Sequence, residues 1–185
     1  IAEVGVNHNG KISLAKKIIK HAKYAGADFV KFQCYNTNEL VTSKAKKAKY
    51  QKIFNKSENQ KQMLKKYELS EKNLNYLKNY SDKIGIKFLV SIFDLKSLYL
   101  AKKMGIKILK LPSGELNNFE LIEQLAKINN EIVLSTGMAS FKEIGFTIKY
   151  LKKRLKKKLT VLHCISSYPT KLNEVQIKNM LEIKK

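Results

Sequence analysis

Short β-branched runs alternate along the chain with longer segments in which apolar residues recur every three or four positions. In the first longer segment, Leu14, Ile18, Ile19 and Ala22 mark one helical face, and Ser13 is the predicted N-cap. This alternation predicts repeated βα units on a parallel sheet. The predicted strands are residues 1–7, 28–33, 87–91, 107–111, 131–135 and 159–166. The predicted helices are residues 13–25, 71–84, 95–104, 118–128, 141–155 and 175–183.

A long polar insertion separates the second predicted strand from the helix that leads to the third. Its residues 42–66 are rich in lysine and lack a clear apolar period. Connections of this length are usually functional covers or disordered segments. We therefore expect this segment to be either a functional cover or disordered.

The turn after the first strand distinguishes two possible architectures. It reads Asn7-His8-Asn9-Gly10, which is not the glycine-rich phosphate turn of a doubly wound sheet. A (β/α)8 barrel distributes its chemistry over the carboxyl ends of many strands and fits better. We therefore expect an α/β fold of the TIM-barrel type, incomplete here with about six βα units. Residues 1–185 are then a partial catalytic domain, with the last two units expected outside it.

The charge balance is strongly basic, with 37 Lys and Arg against 15 Asp and Glu and a net charge of +22. Such a balance usually suggests nucleic acids or anionic membranes as partners. However, Arg154 is the only arginine, and base readout and bidentate phosphate binding favour arginine over lysine. The apolar runs are also far shorter than the ~20 residues that span a bilayer. We expect solvated lysine faces, with no nucleic-acid partner and no membrane partner.

The two cysteines, Cys34 and Cys164, are too few for a disulfide framework and lack metal-ligand spacing. They indicate a reduced, cytoplasmic setting.

Lysines at the ends of two predicted strands are the first candidate chemistry. The two-residue period of a strand places Lys31 and Gln33 on one face of the second strand, and Lys110 lies near the end of the fourth. A lysine in a strand interior must reach solvent, find a partner or bind an anion. At 4 Å from a phosphate oxygen, an ammonium gains about 4 kcal/mol at an effective dielectric of 20. A shared anionic ligand for the two lysines is the hypothesis.

Hydroxyl donors and ionisable groups follow the same strands. Ser113, Ser135 and Ser166 could donate to a phosphate or carboxylate. Simpler interpretations stay open, because the lysines could reach solvent and Glu3 could be the structural partner of a buried lysine. His8 and His163 are expected to be hydrogen-bonded structural histidines. The residues alone therefore indicate a barrel enzyme with an anionic substrate.

Five segments, in order, resemble one known family over essentially the whole chain. Residues 2–10 read AEVGVNHNG, 26–33 read GADFVKFQ, 110–115 read KLPSGE and 134–138 read LSTGM, while LHC at 162–164 precedes YPT at 168–170. On these motifs the chain resembles the N-acetylneuraminate (sialic acid) synthase family, which includes the legionaminic acid synthases.

The resemblance implies a phosphoenolpyruvate-condensing enzyme on a (β/α)8 barrel. C3 of phosphoenolpyruvate would attack the aldehyde of N-acetylmannosamine or a related 2-acetamido sugar, and water would add at C2. Phosphate would then leave, giving a nine-carbon 2-keto acid. Legionaminic acid synthase and a non-catalytic, lysine-rich polyanion-binding module are the alternatives. By position, phosphoenolpyruvate would be held by Lys31, Lys110, Ser113, Ser135 and Ser166. Protons would be managed by Glu3 and Glu115, and the acceptor sugar would contact Gln33 and Tyr168.

The resemblance also implies a divalent cofactor, Mn²⁺ or Mg²⁺, whose histidine ligands are expected beyond Lys185, so no metal ligand is assigned in this chain. A homodimer is expected for the full-length parent, with a C-terminal antifreeze-like domain that lends an arginine to the partner's site. We therefore expect residues 1–185 alone to be inactive. Two positions depart from the family: residues 91–94 read SIFD where Ser-Thr-Pro-Phe is usual, and Ser166 stands where Asn or Thr is common.

Overall fold

A computed structural model describes residues 1–47 and 58–184 of the chain. The chain divides into two compact units, Ile1–Ile106 and Lys107–Lys185. Part of the predicted insertion, residues 48–57, lies outside the described residues.

The first unit is a parallel sheet with helices between its strands. Its elements in chain order are β1 (Ala2–Gly5), α1 (Ile12–Tyr24), β2 (Phe29–Cys34), α2 (Thr37–Leu40), α3 (Gln60–Tyr67), α4 (Glu71–Lys83), β3 (Lys87–Ile92) and α5 (Leu95–Lys103). The strands pair in the order β1–β2–β3, all parallel.

The core of this unit lies between one face of the sheet and the helices. Val30 and Phe32 alternate with Lys31 along β2 and are completely buried, as are Ile19 of α1 and Leu77 of α4. Burying each such side chain contributes about 1.5–3 kcal/mol. The alternation places Lys31 on the opposite face, so that the apolar residues of β2 fix the orientation of its lysine.

The second unit repeats the arrangement. Its elements in chain order are β4 (Ile108–Leu111), a 3-10 turn (Ser113–Glu115), α6 (Phe119–Lys127), β5 (Glu131–Ser135), α7 (Phe141–Lys152), β6 (Leu159–Leu162), a 3-10 turn (Leu172–Glu174) and α8 (Asn179–Lys184). The strands pair in parallel in the order β4–β5–β6. Leu109, Ile132 and Leu134 of the sheet and Ile122 and Leu125 of α6 are completely buried.

The six strands and their order confirm the predicted α/β class with parallel βα units. None of the helices in the described part of the chain has both the length and the apolar character needed to cross a bilayer.

Two predicted helix ends were wrong. α1 begins at Ile12, because the Lys11 carbonyl accepts the first helical bond, from the Ala15 N–H, at 3.0 Å. Lys11 at the N-cap makes no side-chain cap, since an ammonium group cannot accept a hydrogen bond. Ser13 therefore lies inside the first turn and is not the N-cap. α7 ends at Lys152 instead of residue 155, because the chain closes into a turn directly afterwards.

One further helix prediction was wrong, and one helix was missed. The helix predicted at 175–183 is replaced by the 3-10 turn and the shorter α8, because Val175 adopts an extended backbone that interrupts it. The insertion, expected to be a functional cover or disordered, contains α3, which is absent from the predicted helices. A capping box of Asn59 and Gln62 begins that helix, and none of its residues is fully buried.

Candidate active site

Lys31 of β2 lies in a cluster of polar side chains on one face of the first unit's sheet. It is 8% exposed, and its Nζ forms an ion pair with Glu3 of β1, its register partner in the adjacent strand. The same Nζ donates to the Oγ of Ser91 on β3 at 3.4 Å. The Glu3 side chain is 60% exposed. The sheet therefore holds a buried ammonium beside a carboxylate that solvent and ligands can still reach.

Gln33 extends this cluster along β2. It lies two residues beyond Lys31, hence on the same face, and its register partner on β3 is Ser91. Gln33 is half-buried. The three strands thus place an ammonium, a carboxylate, an amide and a hydroxyl on one face of the sheet, in two adjacent rows of register partners.

The connection after β3 is shaped by Asp94, at the place where the sequence departs from the family pattern. Asp94 is buried and caps α5, accepting from the Ser97 N–H at 2.7 Å. Its other oxygen accepts from the Asn36 N–H at 2.7 Å, in the segment after β2. The aspartate therefore ties together the segments that follow two neighbouring strands.

His8 in the turn after β1 is a buried structural histidine, as predicted. Its Nδ1 accepts from the Gly10 N–H at 3.0 Å, and its ring stacks on Phe32 at 6.1 Å. Burial lowers the pKa of His8, although a hydrogen bond with the Gly5 backbone opposes this effect. The adjacent Asn9 has φ of 49°, so the turn is tight.

A second polar cluster lies at the carboxyl ends of β4, β5 and β6. Lys110 of β4 pairs in register with Val133 of β5, and Ser135 is two residues further along β5. The strand period therefore places Lys110 and Ser135 on the same face of the second unit's sheet. Ser135 is almost fully buried and Lys110 is half-buried.

Two of the predicted serines converge on the backbone of Gly137, just after β5. The Gly137 N–H donates to the Oγ of Ser113 at 2.9 Å. A Cβ placed on residue 137 would stand 3.0 Å from that oxygen and would collide with the Oγ of Ser166. The segments after all three strands therefore meet at one point, with two hydroxyls beside it.

The remaining predicted residues lie nearby in the sequence but have different environments. Glu115 is half-buried, and its Oε2 accepts from the Asn118 side-chain amide at 2.9 Å. Tyr168 is 67% exposed.

His163 Nε2 is buried without a hydrogen-bond partner in the described structure, so the expected hydrogen-bonded role is not seen at that nitrogen. The histidine lines a cleft of about 370 Å³ that also contains Thr136 and Ser166.

The described residues do not fit a metal centre. Within residues 1–47 and 58–184, no group of three or more His, Cys, Asp or Glu side chains could hold a metal ion. Cys34 is buried and Cys164 is half-buried, and both thiols are free. Burial raises the pKa of Cys34 to about 12.

Sequence reasoning missed three residues that organise these clusters. Ser91 could have been found from its position on the strand neighbouring Lys31. Asp94 could have been found as an N-cap before the apolar run of α5. Gly137 belongs to a Ser-Thr-Gly tripeptide that is common in turns, so nothing in the sequence marked it.

The profile of one protein family matches most of the chain, over residues 18–185. The chain belongs to the NeuB family. This membership confirms the resemblance to the sialic acid synthases, and the matched residues include most of the first unit and the whole of the second.

Curated relatives agree with this assignment. The N,N'-diacetyllegionaminic acid synthase of Campylobacter jejuni is 46% identical over 187 residues, which cover 100% of this chain and 56% of that protein. The enzyme of the same name from Legionella pneumophila is 39% identical, over 97% of this chain and 52% of that protein. The chain thus spans about half the length of the curated relatives it matches.

A solved structure supports the fold in the same way. The N-acetylneuraminic acid (sialic acid) synthetase of Leptospira borgpetersenii, in complex with citrate, superposes with a TM-score of 0.85 at 33% identity. The superposition covers 99% of this chain and 59% of that one. The fold class predicted from sequence, an α/β fold of the TIM-barrel type, is confirmed.

Proposed function

We propose that this NeuB-family chain supplies catalytic residues of a synthase that condenses phosphoenolpyruvate with an acylamino sugar. The products are a nine-carbon 2-keto acid and inorganic phosphate. The observation that most supports this proposal is the cluster in the second unit, where Lys110 and Ser135 share a sheet face and the hydroxyls of Ser113 and Ser166 converge. Cations and hydroxyl donors at strand ends suit a phosphorylated ligand.

In this proposal the second unit binds the phosphate group. Lys110 supplies positive charge, while Ser113, Ser135 and Ser166 supply hydroxyl donors. Negative charge develops on the phosphate as its bond to C2 breaks, and positioned donors stabilise that charge more strongly in a site shielded from water. Lys110 therefore contributes to the transition state as well as to binding.

The first unit contributes a carboxylate and further substrate contacts. Lys31 fixes the position of Glu3 through their ion pair, and the exposed part of Glu3 is open to a reacting group. We assign proton transfer to Glu3 and Glu115, binding of phosphoenolpyruvate to Lys31, and contacts with the acceptor sugar to Gln33 and Tyr168.

The divalent ion of the family would polarise the acceptor aldehyde when bound. Since the described residues do not form a metal site, no step is assigned to residues of this chain through that ion.

For the acceptor, the relatives named N,N'-diacetyllegionaminic acid synthase support a sugar with two acylamino groups. N-acetylmannosamine is the second candidate, supported by the sialic acid synthetase neighbour. Phosphate release measured separately with each sugar distinguishes the two acceptors.

The test is phosphate release by the full-length protein with phosphoenolpyruvate, Mn²⁺ and each sugar. We expect release that depends on an acylamino sugar. Lys110→Ala should raise the free energy of the transition state by about 3 kcal/mol, which lowers kcat/KM roughly 150-fold. Lys142→Ala, on the exposed face of α7, should retain wild-type activity. Absence of phosphate release with every acylamino sugar would refute the proposal.

One surface favours the alternative of a polyanion-binding module. Six exposed cations occupy the segment from residue 152 to 158, and none forms an ion pair within the described part of the chain: Lys152, Lys153, Arg154, Lys156, Lys157 and Lys158. A polyanion-binding role predicts association that weakens steeply with salt, in proportion to the phosphates contacted. Association with a polyanion that does not change with salt concentration would exclude this role.

A further inference from the structure

We propose that Gly137 is a positioning residue: because it has no side chain, the hydroxyls of two serines can lie where they donate hydrogen bonds to a phosphate group. The hydroxyls of Ser113 and Ser166 both lie close to Gly137, in space that a larger side chain would fill. The Gly137 N–H orients the Ser113 hydroxyl by donating to it. The identity of the anion as the phosphate of phosphoenolpyruvate rests on the proposed function. The convergence itself rests only on the geometry of the second unit.

The hydrogen bond from Gly137 determines what Ser113 can do. Its N–H donates to Ser113 Oγ at 2.9 Å, so that oxygen is an acceptor in this contact. A serine hydroxyl has one proton and two acceptor positions. The proton of Ser113 therefore points away from Gly137 and is available to donate to a bound anion.

The space at residue 137 is already occupied by polar atoms. An added Cβ would stand 3.0 Å from Ser113 Oγ and 3.3 Å from the Cys164 carbonyl oxygen, and it would overlap Ser166 Oγ. Ser166 is exposed, so its hydroxyl can rotate away. An alanine at position 137 would thus displace the two hydroxyls, while the Cys164 carbonyl would have to shift by only a few tenths of an ångström.

The backbone conformation at 137 does not itself require glycine. The positive φ in this turn belongs to the next residue, Met138, at 65°, whereas Gly137 lies outside the left-handed region. Alanine at 137 would therefore act through contact with the hydroxyls and not through backbone strain.

A matched control exists in the same unit. Gly145 lies in α7, and a Cβ there would meet no atom within 4 Å. Gly145→Ala therefore makes the same chemical change without touching the serines. A rescue variant is also available, because Ser166→Ala removes the oxygen with which the new Cβ collides.

The experiment uses the full-length protein and four variants: Gly137→Ala, Gly145→Ala, Ser166→Ala and the double variant Gly137→Ala/Ser166→Ala. Inorganic phosphate binding is measured by titration calorimetry, KM for phosphoenolpyruvate and kcat by phosphate release, and folding by thermal unfolding. We expect Gly137→Ala to weaken phosphate binding about tenfold or more, because displaced donors no longer reach the anion. Gly137→Ala should still unfold cooperatively, close to the wild-type temperature. Gly145→Ala replaces a glycine inside a helix, so it should unfold at a slightly higher temperature than wild type and bind phosphate as wild type does.

The double variant distinguishes displacement of the serine hydroxyls from general damage to the fold. We expect it to bind phosphate nearly as well as Ser166→Ala alone, because the closest contact of the new Cβ, with Ser166 Oγ, is gone and the 3.0 Å contact with Ser113 Oγ is the main one left. Wild-type phosphate binding by Gly137→Ala, strictly additive effects in the double variant, or unfolding of Gly137→Ala would each overturn the positioning role.

The two proposals fail separately. If Gly137→Ala weakens phosphate binding but the wild-type protein condenses no sugar, the positioning role stands and the proposed function fails. If the wild-type protein is active and Gly137→Ala equals it in KM and phosphate affinity, the function stands and the positioning role fails.

Discussion

Substituting either member of the Lys31–Glu3 ion pair shows whether Lys31 serves the activity of the protein or its stability. One substitution removes the negative charge and the other removes the positive charge. Lys31 is almost buried, with one carboxylate and one hydroxyl as its described partners, Glu3 and Ser91. Glu3→Gln removes the countercharge and leaves the ammonium in a poorly solvated position. Lys31→Met removes the buried charge itself and leaves a carboxylate that is 60% exposed and can be hydrated.

The expected magnitudes follow from these exposures. Removing one member of a fully buried pair costs about 3–5 kcal/mol. Water at the exposed Glu3 side replaces part of the lost interaction, so we expect about 1–2 kcal/mol for Glu3→Gln. At about 2–4 °C per kcal/mol for a chain of this size, the unfolding temperature should fall by about 2–8 °C. Replacing the buried lysine by an apolar side chain of similar length should be neutral or stabilising, by up to about 1 kcal/mol.

The assay compares the two variants in the full-length protein, with Lys142→Met as the control for an exposed lysine. We expect Lys31→Met to unfold no earlier than wild type and to lose activity with phosphoenolpyruvate. That combination would mean that the lysine is retained for a ligand and not for stability. If Lys31→Met lowers the unfolding temperature as much as Glu3→Gln does, the lysine is structural and the reasoning fails.

Two further predictions concern the Glu68 carboxyl group and the two cysteine thiols. Burial alone would raise the pKa of Glu68, but hydrogen bonds from Thr37 and Lys65 outweigh it and lower the pKa below the ordinary 4.5. Because the folded pKa is the lower one, this stabilisation is present above pH 4.5 and is lost as the pH falls through the folded value. Stepwise thermal unfolding between pH 7 and pH 3 should therefore show a smaller acid loss in Glu68→Gln than in wild type, and an equal loss would contradict the assignment. Of the two thiols, Cys34 is buried and its pKa is raised to about 12. Alkylation of the native protein should therefore modify Cys164 and leave Cys34 unmodified until the protein unfolds. Peptide mapping that finds Cys34 modified first would disprove this.

Most of the fold could be predicted because the strands are short apolar runs with few polar interruptions. The predicted bounds of the fifth strand match β5 (Glu131–Ser135), and those of the third differ from β3 (Lys87–Ile92) by one residue. Burial on the helix-facing side fixes these runs, so local sequence is sufficient. The first and sixth predicted strands were too long, because the chain leaves the sheet after β1 (Ala2–Gly5) and β6 (Leu159–Leu162) into the turns that carry the polar residues.

The helices that were missed or misplaced depend on capping and turns instead of an apolar stripe. α3 has no fully buried residue, and its only signal is the pairing of Asn59 with Gln62. The start of α1 depends on which carbonyl, that of Lys11, accepts the first helical hydrogen bond. Neither feature changes the hydrophobic period, so the pattern could not reveal it.

The candidate site was predictable only in part, for a physical reason. Polar residues in apolar strands, such as Lys31 and Lys110, are costly unless they have a partner or ligand, so the sequence itself marks them. The contact of Ser113 and Ser166 with Gly137 depends on three loops meeting in space. Sequence separation conceals such a contact, and a glycine without a positive φ gives no signal of its own.

The most direct test of the central claim is a crystal structure of the full-length protein with phosphoenolpyruvate bound. Phosphate oxygens should lie within about 3.2 Å of Lys110 Nζ and Ser135 Oγ, which is hydrogen-bond distance. A well-defined phosphoenolpyruvate molecule bound elsewhere, with neither of these atoms in contact with it, would contradict the account.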